Sequence, residues 1–159
     1  KAYRDWPLEH FIALCERIRE HHPGAHFLIF GGTAEKERTG ALARHFSDCS
    51  TLFAGRLTLR QTAALMDRVD LYVGVDTGPS HMMGGLRRPL VVLYHPCSPS
   101  RVYGQLDHPA FQAVDPPRSE KDATPETPMA EIDVDTVWKH VVTALSHSSQ
   151  SEGTHGTPG

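Results

Sequence analysis

Short apolar runs and helix-period stripes alternate along the chain. Leu8, Phe11, Leu14, Cys15 and Ile18 recur at the spacing of one helix face, and Pro7 suits the first turn, where its missing N–H costs nothing. His22-Pro23-Gly24 stops that helix. His26 to Phe30 is a short continuous run of the kind expected for a strand buried on both faces. Gly31-Gly32-Thr33 turns the chain into a helix over Ala34 to Phe46, and Thr51-Leu52-Phe53 is a brief strand. Thr58-Leu59-Arg60-Gln61 matches a capping box and predicts a helix from Leu59 to about Asp67. Leu71 to Val75 is the next strand, Asp76 to His81 opens a helix through Leu86, and Leu90 to Tyr94 is another strand.

After Tyr94 the pattern loosens. Pro96, Ser98, Pro99 and Ser100 predict a loop, Phe111 to Val114 a last short strand, and Asp115 to Pro128 a surface loop rich in Pro and charge. Val134, Val137, Trp138, Val141, Val142 and Leu145 form an apolar stripe, so a closing helix is expected. From Ser146 to Gly159 no large apolar residue occurs, and burial cannot offset the ordering entropy of such a segment. The organisation read from these patterns is one domain over residues 1–146 and a tail over 147–159. Strand-helix alternation with β-rich runs predicts an α/β fold, a doubly wound parallel sheet in three layers. Ligands of such sheets bind at the carboxyl ends of the strands, here the loops after Phe30, Phe53, Val75 and Leu93.

Composition narrows the classes. The chain has 159 residues, 39% of them hydrophobic, which supports one globular core and excludes wholesale disorder. No apolar run approaches the roughly 20 residues of a membrane span. Lys1 to Trp6 has no apolar segment of the kind a signal peptide carries, so none is expected. Lys1 is not a Met, and the chain opens inside what reads as a functional loop, so a piece of a longer protein is expected. A net charge of -3 speaks against nonspecific nucleic-acid binding. Cys15, Cys49 and Cys97 are odd in number and far apart, which fits a reducing compartment better than a disulfide scaffold. The eleven histidines lack the spacing of a metal site, and no metal is expected.

Three loops carry candidate chemistry. In Val75-Asp76-Thr77-Gly78-Pro79-Ser80-His81 a strand delivers the loop and a helix leaves it. Gly78 admits a ligand close to the backbone, Pro79 pre-sets helical geometry, and the first-turn N–H groups with the positive helix end form an anion site. Thr77 and Ser80 add hydroxyls, and the His81 ring is within reach of a phosphate. Asp76 suits sugar or ribose hydroxyls, which donate to a carboxylate. Equally, Asp76 or Thr77 could simply cap the helix. In Phe30 to Glu37, Glu35 and Glu37 match the positive end of a helix, and that local role is the simpler reading. In Ala54-Gly55-Arg56-Leu57-Thr58, Leu57 either packs on a flat ring or staples the helix. No nucleophilic triad, phosphate-binding Walker loop or dinucleotide glycine fingerprint occurs.

These elements, with Trp6-Pro7 and Pro89 to Tyr94, resemble glycosyltransferase family 9, the lipopolysaccharide heptosyltransferases, over residues 1 to about 104. The resemblance implies two Rossmann-like domains in a GT-B arrangement, of which this chain is similar to the carboxyl-terminal, donor-binding one. It implies that Asp76 contacts the donor sugar, that Thr77 and Gly78 donate to the diphosphate, and that His81 lies beside the phosphates. Glu35 then accepts from the ribose, Leu57 packs on the adenine, and Arg4, with Lys1 as the other choice, neutralises the diphosphate. The implied substrates are a nucleotide sugar, ADP-heptose, and a lipid-linked oligosaccharide acceptor, with no resident cofactor and no nucleic acid. The implied partner is the amino-terminal domain of the same enzyme, which carries the catalytic base, so no catalytic residue is expected here and transfer by this chain alone is not expected. The implied location is the cytoplasm or the inner face of the inner membrane. Two departures stand out: Met82-Met83-Gly84-Gly85 replaces a small apolar run, and Tyr94-His95-Pro96 replaces Tyr-Gly-Pro. The alternatives are half of a GT-B-type sugar-nucleotide epimerase, which needs acid/base carboxylates in its cleft, and a noncatalytic flavodoxin-like module, which lacks nucleotide affinity.

Overall fold

The computed structural model describes residues 5–105 and 107–151, with the side chains of 148–151 left out of the description. Arg4 and Lys1, candidates above, lie outside the described residues, as do residues 152–159 of the expected tail. The chain divides into two compact units, one formed by Pro7–Thr62 and the other by the residues on either side of it.

In the contiguous unit, helix α1 spans Leu8–His21, with Pro7 just before its first turn. Strand β1, Phe27–Ile29, pairs in parallel with β2, Ser50–Leu52, in the register Phe27 to Ser50 and Ile29 to Leu52. Between them a 3-10 turn at Thr33–Glu35 leads into α2, Lys36–His45. Leu14, Ile29, Phe46 and Ala54 are buried, and the Phe27 and Phe46 rings meet at 5.2 Å. In β1 only Ile29 is buried, whereas the apolar run predicts burial on both faces. A two-stranded ladder has too few neighbours to cover both sides of so short a strand.

In the other unit, β3 (Tyr72–Val75), β4 (Leu90–Leu93) and β5 (Phe111–Val114) form a parallel sheet in that order. Helix α3, Leu59–Met66, places Met66 in this core. Helix α4, Gly78–Leu86, packs against β3 and β4, and α6, Val134–Ser151, against β4 and β5. Every residue of β4 is buried, as is Tyr94 after it, so the strand with the most continuous apolar run is the central one. A short helix α5, Ser100–Tyr103, interrupts the segment predicted to be loop.

Helix α6 turns Val137, Val141 and Ala144 into the core and leaves Val142 about half exposed. Of the six positions predicted, Val137 and Val141 are buried, and Ala144, which the apolar stripe did not include, completes an i, i+4, i+7 face. The helix runs past residue 146, where the sequence pattern places the domain's end, to Ser151. Asp133 starts it: its carboxylate accepts from Thr136 N–H at 2.7 Å and from the Thr136 hydroxyl at 3.1 Å. Just before α6, Ile132 is buried, and its carbonyl accepts from the buried Trp6 indole at 2.8 Å.

Two stability effects follow from these contacts. Trp6→Phe removes the donor and leaves the Ile132 carbonyl unpaired, and is expected to cost about 1–3 kcal/mol in urea unfolding. An unchanged midpoint would show that the ring alone anchors this segment. Asp133→Ala should cost about 1 kcal/mol near neutrality by loss of the cap. The hydrogen bond from the Thr136 backbone holds the Asp133 carboxyl below its usual range. Its contribution is therefore present above the unfolded value of about 3.9 and is lost as the pH falls through the lower folded value. Thermal melts of parent and variant should converge in acid.

Candidate functional site

The carboxyl ends of β3, β4 and β5 lie at one edge of their sheet because the strands are parallel and in register from Val75 to Leu93 to Val114. The backbone N–H of Asp76 donates to the Leu93 carbonyl at 3.1 Å, one rung beyond the end of β3. The chain turns only after that bond. Thr77 is extended and forms the N-cap of α4.

At this helix start the sequence suggests several free donors, and the structure leaves fewer. Thr77 N–H donates to the Ser80 hydroxyl at 3.1 Å, and that hydroxyl donates to the Thr77 carbonyl at 2.7 Å. Ser80 is buried and its N–H also meets the Thr77 carbonyl. Ser80 thus clamps the turn, and its hydroxyl is not offered to a phosphate. Pro79 has no N–H. Among the described residues the Gly78 N–H is the first-turn backbone donor without an acceptor. Thr77 and Gly78 are exposed, and a side chain added at Gly78 would meet no protein atom within 4 Å.

His81 stands one turn into α4. Its Nε2 lies 3.1 Å from Asp76 Oδ1, with the imidazole about half exposed and the carboxylate largely covered. Asp76, Thr77, Gly78 and His81 are therefore brought together, with Asp76 already engaged by His81. The Asp76 charge reaches two phenols. Burial, and then Asp76, push the Tyr72 hydroxyl up to about 12, against a hydrogen bond with Thr77 that pulls the other way. Tyr72 lies over Gly74, where a methyl group would collide with the phenol. The Tyr94 hydroxyl is raised further, by burial first and then by Asp76 and Asp115, and it is buried with no hydrogen-bond partner among the described residues.

His95 is buried at the end of β4. Its Nδ1 accepts from Cys97 N–H at 3.2 Å, so Nε2 carries the proton and donates to the Thr127 carbonyl at 2.9 Å. The ring clamps the loop after β4 to the segment around Thr127. Beyond it, Pro96, Pro99, Arg101, Asp115, Arg118 and Lys121 help line an open cleft of about 410 Å³. Arg101 pairs with Glu120 and Arg118 with Glu131, and these guanidiniums hold both carboxyls below their usual range.

The Pro7–Thr62 unit has its own loop cluster. Gly55, at φ +65°, sends its N–H to the Gly31 carbonyl at 3.0 Å, which joins the loops after β1 and β2. Glu35 folds back so that its Oε2 accepts from Gly32 N–H at 2.5 Å. This contact closes the turn before α2. Leu57 is half-buried in this cluster, while Leu59 nearby is the large exposed apolar residue. Lys36 packs its side chain against Gly55, a cation at these loops that the sequence pattern did not single out.

Among the described residues no group of three or more His, Cys, Asp or Glu could hold a metal ion, and no helix is long and apolar enough to cross a membrane.

This fold and loop set have known relatives. Residues 1–121 match the model of glycosyltransferase family 9 (heptosyltransferase). The chain is 28% identical over 110 residues to the lipopolysaccharide core heptosyltransferase OpsX of Haemophilus influenzae, which covers 68% of this chain and 32% of that protein. It is 32% identical over 96 residues to lipopolysaccharide heptosyltransferase 1 of Pseudomonas aeruginosa, covering 60% and 26%. Among solved structures, a glycosyl transferase of family 9 from Veillonella parvula superposes with a TM-score of 0.80 at 22% identity, over 92% of this chain and 43% of that one. An Escherichia coli heptosyltransferase, WaaC, solved with ADP, gives 0.74 at 21% identity, over 91% and 41%.

The structural likeness shows the parallel α/β, Rossmann-like fold. The chain belongs to glycosyltransferase family 9. It spans about a third of the length of the curated relatives it matches.

The Ser80 clamp has a measurable consequence. Ser80→Ala should lower stability by about 0.5–2 kcal/mol, the usual range for a lost helix-terminal side-chain bond. Equal thermal midpoints for parent and variant would mean that the hydroxyl is free for other work.

Proposed function

We propose that this chain is the donor-binding part of a heptosyltransferase that moves heptose from ADP-heptose to the lipopolysaccharide core, with Asp76, Thr77, Gly78 and His81 receiving the diphosphate and sugar. The observation that carries the reading is the exposed Thr77-Gly78 turn. It presents a free N–H at a helix N-terminus, beside an Asp–His pair, at the carboxyl edge of a parallel sheet. Family membership and relatives named as heptosyltransferases support the choice of donor. The whole reaction is assigned to the full-length enzyme.

In this reading the acceptor hydroxyl oxygen attacks the anomeric carbon, a new C–O bond forms, and the bond from that carbon to the diphosphate oxygen breaks. The hydroxyl proton passes to a base outside this chain, and ADP leaves with the bonding electron pair. The chain's contribution is electrostatic. The Gly78 N–H, the His81 ring and the positive end of α4 meet the charge that grows on the leaving diphosphate, and the Thr77 hydroxyl, which in the free chain donates to the Val75 carbonyl at 3.3 Å, turns to it. The nucleotide sugar is substrate, and no resident cofactor takes part. Asp76 accepts hydrogen bonds from hydroxyls of the sugar. The acceptor is a lipid-linked oligosaccharide, and the enzyme acts in the cytoplasm or on the inner face of the inner membrane.

Calorimetry with ADP and ADP-heptose tests the assignment. A Cβ at Gly78 meets nothing beyond its chain neighbours and its own helix, so Gly78→Val should weaken both ligands while leaving the fold intact. Asp76→Ala should spare ADP and weaken ADP-heptose by about 1.5–3 kcal/mol, the worth of hydrogen bonds to a charged group. Equal loss for the two ligands would make Asp76 a residue of the fold. Absence of binding of either ligand to the parent chain would overturn the reading.

A further inference from the structure

We propose that Gln105 is a positioning residue for His81, fixing the ring's orientation and tautomer at the donor site, and that Gly84 is glycine to admit it. The Gln105 carboxamide nitrogen lies 3.3 Å from His81 Nδ1, while His81 Nε2 lies 3.1 Å from Asp76 Oδ1. An amide nitrogen only donates hydrogen bonds, so Nδ1 accepts in this contact and the ring proton sits on Nε2, the nitrogen that faces Asp76. Gln105 thus fixes which ring nitrogen of His81 is the donor, on the side that faces the carboxylate assigned to the sugar.

The space for this chain is built into α4. A methyl group at Gly84 would overlap the Gln105 carboxamide, whose oxygen and carbon lie against the bare Cα. Glycine inside a helix is unfavourable relative to alanine, so its presence at this position has a reason. Gly84 belongs to the Met82–Gly85 run noted above as a departure from a small apolar run. That departure and Gln105, twenty-one positions on, become one structural feature. Gln105 follows α5, with Gly104 between the helix and it, and nothing in the local sequence pattern ties it to α4.

The inference rests on the donor-site reading for its functional half, and the experiment separates the two. The His81 imidazole nitrogens are read by nitrogen-15 NMR on the chain without nucleotide, and ADP affinity by calorimetry. The parent should show the Nε2–H tautomer. Gln105→Met removes the donor while keeping length, and Gly84→Ala displaces the flexible carboxamide while keeping Gln105. Each should shift His81 toward a tautomer mixture and weaken ADP roughly 3- to 10-fold, the fold-change for one lost hydrogen bond. Combining them should weaken ADP no further than either alone, because both remove the same contact. An unchanged His81 tautomer in both variants overturns the positioning role. A changed tautomer with unchanged ADP affinity overturns its link to the donor. A parent chain that shows the Nε2–H tautomer but binds no ADP overturns the donor-site reading, and with it the functional half of the inference.

Discussion

The hydrogen bond from Asp76 N–H to the Leu93 carbonyl sets the position of everything at the carboxyl edge of the three-stranded sheet. It extends the β3–β4 ladder by one rung, so the Asp76 side chain starts at the sheet and Thr77 begins the turn. It also borrows rigidity from β4, buried along its whole length and flanked by parallel partners on both sides. A shift of β3 by one residue would move Asp76 to the other face of the sheet. The imidazole one turn along α4 could then no longer reach its carboxylate.

Around Asp76 the structure accepts a local cost. The Tyr94 hydroxyl is buried without a partner, and an unsatisfied polar group of that kind costs about 1–3 kcal/mol. Tyr72 lies over Gly74 in its own strand, so a strand glycine is traded for a ring packed near the carboxylate. Both phenols stay protonated over a wide range because burial and the Asp76 charge disfavour the phenolate. A negative centre next to neutral donors is an arrangement suited to binding hydroxylated ligands. A nucleophile would need the opposite surroundings.

Much of this was legible in the sequence because it is encoded locally. The strands Tyr72–Val75, Leu90–Leu93 and Phe111–Val114 follow their apolar runs to within a residue. The Thr58–Gln61 box forms in both directions, with Thr58 N–H on Gln61 Oε1 at 2.9 Å and Gln61 N–H on Thr58 Oγ1 at 3.3 Å. Asp76, Thr77, Gly78 and His81 come together because one turn carries them. Ser80 is engaged within the turn for a physical reason: a hydroxyl three residues after an N-cap competes for the same backbone groups that a ligand would use. Gln105, Lys36 and the burial of His95 depend on contacts between segments far apart in sequence, for which no periodicity gives a signal. The two separate ladders were also hidden, since apolar runs announce strands but not their partners.

The bond between Trp6 and Ile132 has a consequence for the order in which the molecule assembles. It joins residues 126 positions apart, and the unit it closes is interrupted in sequence by the whole of Pro7–Thr62. The interrupting unit is synthesised complete before β4, its neighbour β5 or α6. Its strands pair across only 20 residues of intervening chain, from Ile29 to Ser50, so its contacts are available early. In the interrupted unit the Trp6 indole can meet the Ile132 carbonyl only after residue 132 is synthesised. The entropy of closing so long a loop grows slowly, by about 0.6 kcal/mol per doubling of length. Delay in synthesis, more than loop entropy, therefore makes the indole–carbonyl bond one of the last to form.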